Sequence, residues 1–456
     1  MRNGEAMAAE KEYDLIIRNG WLITMDAAGT RYPSADIAVL DGKIFAIGES
    51  LPGSAKEEID AKGNVVLPGL VDAHMHMTLL RGIGDDLPLM RWLYEVMFPK
   101  DAQIQARHIH AAAIMNQAEL IRGGVTTFLD IFRFPSESAA IAEQSGLRGV
   151  FCPQIIDEPA GAGETLESNL AFIEAWHDRV PERLYTWFGP HAPYSNFPET
   201  YAKIAEYAEH YDIGYHTHIC ETEDEVRQIK EKYGKSSVKL LDDVGALSPR
   251  FSVAHGIHLS PEDIELLAER GVGVVHNPSS NMKLASGVAP IPELFAAGVK
   301  VGLGTDSNLS NNNLDMFEEM RIAAFLQKLY RKDPSVLPCE QVLRMATMGS
   351  ASCLGMDHMI GSLEVGKRAD IIIIDMHQPH LYPLLPEPNT NVIEQLVYSA
   401  SAADVWTTIV EGRVLMHERH VRTLDWTAAQ DLVVEMAQDL VSRSDIWRRL
   451  GREVQS

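Results

Sequence analysis

Residues 65–77 read VVLPGLVDAHMHM, an apolar run that closes on two histidines one position apart. What those histidines can do depends on local conformation. Two residues apart on a helix, side chains point in widely different directions, whereas on a strand alternate side chains share a face. As a strand, the run aims His74 and His76 at one point and turns Met75 away.

Seven more strand-like runs follow: VTTFLDI, RGVFCPQ, LYTWFGPH, IGYHTHIC, FSVAHGIHL, VGVVHNP and KVGLGTDS. Helix-compatible segments lie between them, among them SSVKLLDDVGAL and LDMFEEMRIAAFLQKLYRK, the latter preceded by SNNN as a source of N-caps. Strand and helix alternating over roughly 240 residues predict a parallel α/β arrangement, and eight units match a (β/α)8 TIM barrel. A doubly wound sheet is the alternative, but no glycine-rich dinucleotide fingerprint follows any run. Residues 13–66 instead hold short strand-like stretches (YDLIIRNGWLITMD, ADIAVLDGKIFAIG) separated by Asn-Gly, Asp-Gly and Lys-Gly turn signals, the pattern of a small antiparallel sheet. Similar stretches return in GSLEVGKRADIIIIDM and WTTIVEGRVLMHERHV. The expected organisation is a β-sandwich built from residues 1–67 and 361–425, a barrel over 68–360, and a helical segment over 426–456.

Composition narrows the function. The chain has 456 residues, more than one core usually serves, and 46% of them are hydrophobic. Against 40 Lys and Arg stand 64 Asp and Glu, a net charge of −24 that repels phosphate backbones and anionic lipid, so no nucleic-acid or membrane partner is expected. Cys152, Cys220, Cys339 and Cys353 lie far apart, which suits a reducing compartment. The start, MRNGEAMAAEKEYD, lacks the apolar segment of a signal peptide, so the cytoplasm is the expected location.

Polar residues collect near the C-terminal ends of the runs, the face where barrel chemistry occurs: His74 and His76, His191, His218 and Glu221, His255, His276 and Asp306. Seventeen histidines would give about half an H-x-H pair by chance, and the chain holds three. His108 and His110 lie on a helix-like segment, where a structural role is expected. His216 and His218 share a strand face in HTHICE, and only one of them need ligate. With Asp306 the set offers neutral imidazoles and one carboxylate, suited to a borderline divalent metal such as zinc with a position open for water.

PGLVDAHMHM, HTHICET, AHGIHL, HNPSSNMKLASGVAPI and GLGTDS, in this order, resemble the amidohydrolase superfamily. The likeness is nearest to its methylthioadenosine/S-adenosylhomocysteine deaminases and more distant to its s-triazine hydrolases, and it covers nearly the whole chain. It implies one divalent ion, zinc or alternatively ferrous iron, held by His74, His76, His218 and Asp306. His255 is implied to hold the water on the metal and Glu221 to relay protons, while Trp92, Asp101, His191 and Ser310 would contact substrate, Asp101 at the ribose hydroxyls. The implied reaction is deamination of an amino-substituted N-heterocycle such as an adenosine analogue: a metal-activated water attacks and ammonia leaves. Displacement of chloride or an alkylamine from an s-triazine is the alternative, and a non-catalytic scaffold a further one that the complete ligand set argues against. A homodimer or tetramer is expected from the likeness. Two departures bear on substrate. Only Met77 separates His76 from TLLRG, two residues fewer than the deaminase pattern, and residues 148–169 carry, after Arg148 at their head, no arginine to hold an anionic amino-acid tail. A smaller or uncharged heterocycle is therefore expected.

Overall fold

Leu70–His76, the run that raised the question, is a strand with every residue buried. The computed structural model describes residues 12–87, 89–158 and 163–451. Positions 1–11 of the expected sandwich, 159–162 of the arginine-poor segment and 452–456 of the expected helical segment lie outside the described residues. Leu70–His76 pairs in parallel with Val125–Phe132, which pairs with Arg148–Ile155. Arg148–Ile155 then pairs with both Leu184–Thr186 and Gly189–Pro190. His216 N donates to Phe188 O at 3.0 Å, leading into the parallel series Tyr215–Ile219, Phe251–His255, Gly273–His276 and Lys300–Leu303. Asp306–Ser307 finally pairs back onto Leu70–His76. With helices between the strands, this is a TIM-barrel-like α/β fold.

Two runs predicted as single strands are broken. LYTWFGPH divides into Leu184–Thr186 and Gly189–Pro190, and KVGLGTDS into Lys300–Leu303 and Asp306–Ser307. The second break has a steric reason at Gly304, where a Cβ would lie 2.7 Å from His74 O and 2.8 Å from His74 N. Only glycine lets the last strand run this close to the backbone of the first. Gly304→Ala should destabilise the protein by about 1–3 kcal/mol and lower its metal content; an unchanged melting temperature with unchanged metal content would show that the backbone yields. Beside this contact, Asp72 accepts from Thr305 N at 3.0 Å and Thr305 Oγ1 at 2.6 Å. Its burial pushes the carboxyl up to about 7.

Strands from both ends of the chain join one nine-stranded sheet, in which Ile371–Ile374 lies between Val65–Pro68 and Val405–Val410. The four isoleucines alternate: Ile371 and Ile373 pack with Leu15, Ile17, Ile37 and Val39, while Ile372 and Ile374 face the larger core. The sheet is mixed, not antiparallel as expected, because Glu12–Ile23 pairs in parallel with Ser54–Asp60 and Val65–Pro68. Turn signals register local hairpins, and these two pairings are made by longer returns of the chain. Arg148, fully buried, joins the two regions: Nε and Nη2 each lie 3.1 Å from the Asp370 carboxylate. Arg148→Met strands Asp370 and should cost about 3–5 kcal/mol by denaturant unfolding; a loss under about 1 kcal/mol would mean that water reaches the pair.

Helix Met316–Arg331 is capped by Asp315, whose carboxylate accepts from Phe317 N at 2.9 Å and Glu318 N at 3.3 Å, and not by a residue of SNNN. Asn313 instead accepts from Asp315 N at 3.1 Å, two residues upstream of the cap. At the other end, Gln430–Ser444 packs on Ala106–Arg122 and on Phe98–Asp101. Among the described residues no helix is long and apolar enough to cross a membrane.

Candidate metal centre and its cavity

Strand register brings the expected ligands together. Asp306 pairs with Met75, between His74 and His76, so its carboxylate emerges beside both imidazoles. One strand pair away, His218 lies opposite Ala254 and Ile219 opposite His255, which sets those two histidines on neighbouring strand ends. Asp306 Oδ1 is 3.6 Å from His74 Nε2 and 3.3 Å from His76 Nε2. Potential ligand atoms of His74, His76 and His218, and of His74, His255 and Asp306, lie within 4.8 Å of one another in each set. Asp306 and His255 hold left-handed backbone, φ 62° and 72°, a conformation costly for side chains other than glycine and concentrated at functional sites.

The hydrogen bonds around the imidazoles decide what the centre fits. His76 Nδ1 is 2.5 Å from Ile131 O, and His218 Nδ1 is 2.6 Å from His191 O. A carbonyl only accepts, so each Nδ1 carries the ring proton and, in the neutral ring, each Nε2 is a bare lone pair. Those two Nε2 atoms face each other at 3.1 Å. His74 Nε2 is also buried, with no hydrogen-bond partner among the described residues. Lone pairs converging on a carboxylate repel unless a cation lies among them. The donor set therefore fits a divalent metal ion. Burial favours the neutral form of two of the rings, lowering His74 to about 4 and His218 well below the ordinary histidine value.

Supporting groups fix these rings in place. His74 Nδ1 lies 2.8 Å from His216 Nε2, and His216 Nδ1 lies 2.7 Å from Ser252 Oγ. Of the HTHICE pair, His218 faces the centre and His216 stands behind His74. His255 Nδ1 is 2.9 Å from Asn281 Oδ1, leaving Nε2 3.8 Å from Glu221 Oε2 and 4.0 Å from Asp306 Oδ2. Burial draws the His255 value down, but Glu221 and Asp306 together hold it above the ordinary one. Burial likewise raises the Glu221 carboxyl. Glu225 accepts from Glu221 N at 2.8 Å and Cys220 N at 2.9 Å, pinning the loop that presents Glu221.

Above the centre opens a cavity of about 530 Å³, and Trp92, Asp101, His191, Glu221, His255 and Ser310 all line it. Trp92 is 6% exposed, so it serves the wall and the core together. His276 is buried away from that lining. His108 and His110 turn to different partners, Asp439 at 2.9 Å and Glu137 at 3.0 Å, far from the centre. No lysine or arginine lines the cavity among the described residues. Residues not singled out from sequence also belong here. Gln154 and Tyr194 line the cavity, and Asp130 accepts from Met77 N at 2.9 Å. Asp130 and Gln154 stand near strand ends, which was a readable signal, but neither has a spacing partner.

Comparison with known proteins gives the chain a family. Residues 65–415 match the model of the amidohydrolase family. A 5'-deoxyadenosine deaminase of Methanosarcina mazei is 44% identical over 435 residues, 94% of this chain and 99% of that protein. A 5-methylthioadenosine/S-adenosylhomocysteine deaminase of Desulforudis audaxviator is 44% identical over 417 residues, 90% of this chain and 95% of that one. Among solved structures, an adenosine deaminase from Xanthomonas campestris with bound zinc superposes with a TM-score of 0.89 at 33% identity, over 95% of this chain and 100% of the other. With the convergent histidines and aspartate already in view and most of its length matched, this chain belongs to the amidohydrolase family.

Proposed function

We propose that this protein is a metal-dependent hydrolase of C–N bonds that deaminates adenosine analogues. The observation that carries the reading is the pair of bare Nε2 lone pairs, on His76 and His218, 3.1 Å apart at the floor of the cavity. The names of the full-length relatives support the substrate class. His74, His76, His218 and Asp306 would hold one divalent ion, zinc first and ferrous iron as the alternative. Bound there, the ion supplies Lewis acidity that brings the pKa of water from about 15.7 to about 7.

The chain's own groups do the rest. His255, with Nδ1 committed to Asn281, turns Nε2 toward the attacking water and orients it. Glu221 takes a proton from that water and delivers it to the ring nitrogen beside the carbon bearing the amino group; the second water proton, left on the hydroxyl added to that carbon, passes to the amino group, and ammonia leaves. Burial raises the Glu221 carboxyl above the ordinary value, the direction that favours its holding a proton in transit. Trp92 provides an apolar wall for the base, His191 and Ser310 polar contacts, and Asp101 an acceptor for ribose hydroxyls. A cavity without lysine or arginine favours uncharged 5' substituents over an amino-acid tail.

The test is ammonia release from metal-loaded protein offered aminated purines, pterins and triazines. Adenosine and 5'-deoxyadenosine should release one ammonia per molecule consumed. Chloride release from chlorotriazines, with no ammonia from any adenosine, would overturn the reading.

The same proposal takes the ring of parallel pairings as a closed (β/α)8 barrel over residues 68–360. The nine-stranded sheet, whose alternate residues enclose their own core, supports a β-sandwich from 1–67 and 361–425, with 426–456 as a helical segment. A cytoplasmic location and a homo-oligomer belong to this reading; the four free cysteines support the former.

A further inference from the structure

Lys100 is 0% exposed, an unusual place for an ammonium group. It ends the helical stretch that forms one wall of the cavity, beside Asp101 in Phe98–Asp101. Neighbours along a helix normally point apart, yet Lys100 Nζ returns to within 3.0 Å of Asp101 Oδ1. Neither atom has a further hydrogen-bond partner among the described residues. On its other side the ammonium stands 5.3 Å from the centroid of the Phe132 ring, which meets His76 edge-on with centroids 5.9 Å apart. Burying an ammonium is costly unless it is paired. Lys100 is paired with a carboxylate that lines the cavity.

The cavity explains why a cation is needed there. Its lining includes Glu158, Glu221, Asp224, Glu225 and Asp306 as well as Asp101, and no lysine or arginine among the described residues. A carboxylate crowded by like charges is pushed to swing away from them toward solvent. Lys100 opposes that swing by supplying the counter-charge from behind the wall, and Arg133 Nη1 holds the same turn by donating to Asp101 O at 2.5 Å. We propose that Lys100 is a positioning residue that holds the Asp101 carboxylate aimed into the cavity, so that it reads the vicinal hydroxyls of the substrate's ribose. Lys100 itself stays outside the cavity lining. The proposal rests on the adenosine-analogue reading above.

The experiment compares kcat/KM for adenosine with that for 2',3'-dideoxyadenosine, in the metal-loaded wild type and in Lys100→Met, Asp101→Asn and the double variant. A site built to bond a substrate hydroxyl strongly rejects the analogue lacking it, so the wild-type ratio should be on the order of 10² or more, given charge-assisted hydrogen bonds. In Lys100→Met the ratio should fall at least about tenfold, through KM for adenosine more than through kcat. Asp101→Asn should cause the same fall, and the double variant should fall no further than either single one. The double variant also leaves no unpaired buried charge, so it reports even where Lys100→Met fails to fold. A Lys100→Met enzyme that keeps the wild-type ratio, or a double variant whose losses add, would overturn the proposal. Wild-type protein that releases ammonia from neither nucleoside sinks the substrate reading as well, whereas turnover of both with an insensitive ratio sinks this inference alone.

Discussion

Glu221→Gln is expected to lower kcat by about 10²- to 10⁴-fold while metal content stays unchanged, the span usual for loss of a proton-transferring side chain, the role proposed for Glu221. Glutamine preserves shape and hydrogen bonding but cannot take a proton. The carboxylate stands 3.8 Å from His255 Nε2 and belongs to neither cluster of converging donor atoms. Metal analysis should accordingly give equal content in the two proteins, and the loss should appear in kcat more than in KM. The Glu225 carboxylate bonds the backbone of residue 221, so the loop keeps its place in the variant. A Glu221→Gln enzyme within about threefold of wild type would remove Glu221 from the proton path and point to His255 in its stead.

Stripping the protein of metal with a chelator abolishes turnover and lowers the melting temperature, and adding zinc back restores both. The first effect follows from the loss of Lewis acidity. The second follows from His76 and His218, whose ring protons are committed to carbonyls on their outer sides and whose lone pairs are pressed together on the inner. A ligand present at a thousand times its dissociation constant contributes about 4 kcal/mol of apparent stability, and the emptied centre also recovers its internal repulsion. Calorimetry with elemental analysis checks this. Metal-free protein, verified as such, that melts at the same temperature and turns over at the same rate would contradict the assignment.

The convergence of the proposed ligands was legible because strand geometry is periodic: one intervening residue puts His74 and His76 on a single face, and carboxyl ends of parallel strands gather side chains from distant positions. The choice between His216 and His218 was not legible from period alone, since both share a face. It depends on which imidazole comes to stand behind His74 and which finds the carbonyl of residue 191. Asn281, Asp130 and Glu225 act through tertiary contacts that leave no spacing in the sequence. Lys100 was invisible for a different reason: a lysine next to an aspartate ordinarily reads as a solvated surface pair. In the fold, alternation gave the runs, but Gly304 interrupts one of them through a close approach to a strand more than two hundred positions earlier. Composition carries no trace of such an approach.

The shared sheet has a consequence for biosynthesis. Val65 has Trp21 on one side, but its neighbour on the other is Ile374, so the strand that leads into the first two proposed metal ligands must wait, half-paired, until most of the polypeptide has left the ribosome. Pairings of such long range are slow to form and leave edges open meanwhile. The nascent protein is thus expected to lean on chaperones, and fragments ending before Ile371–Ile374 to aggregate rather than mature.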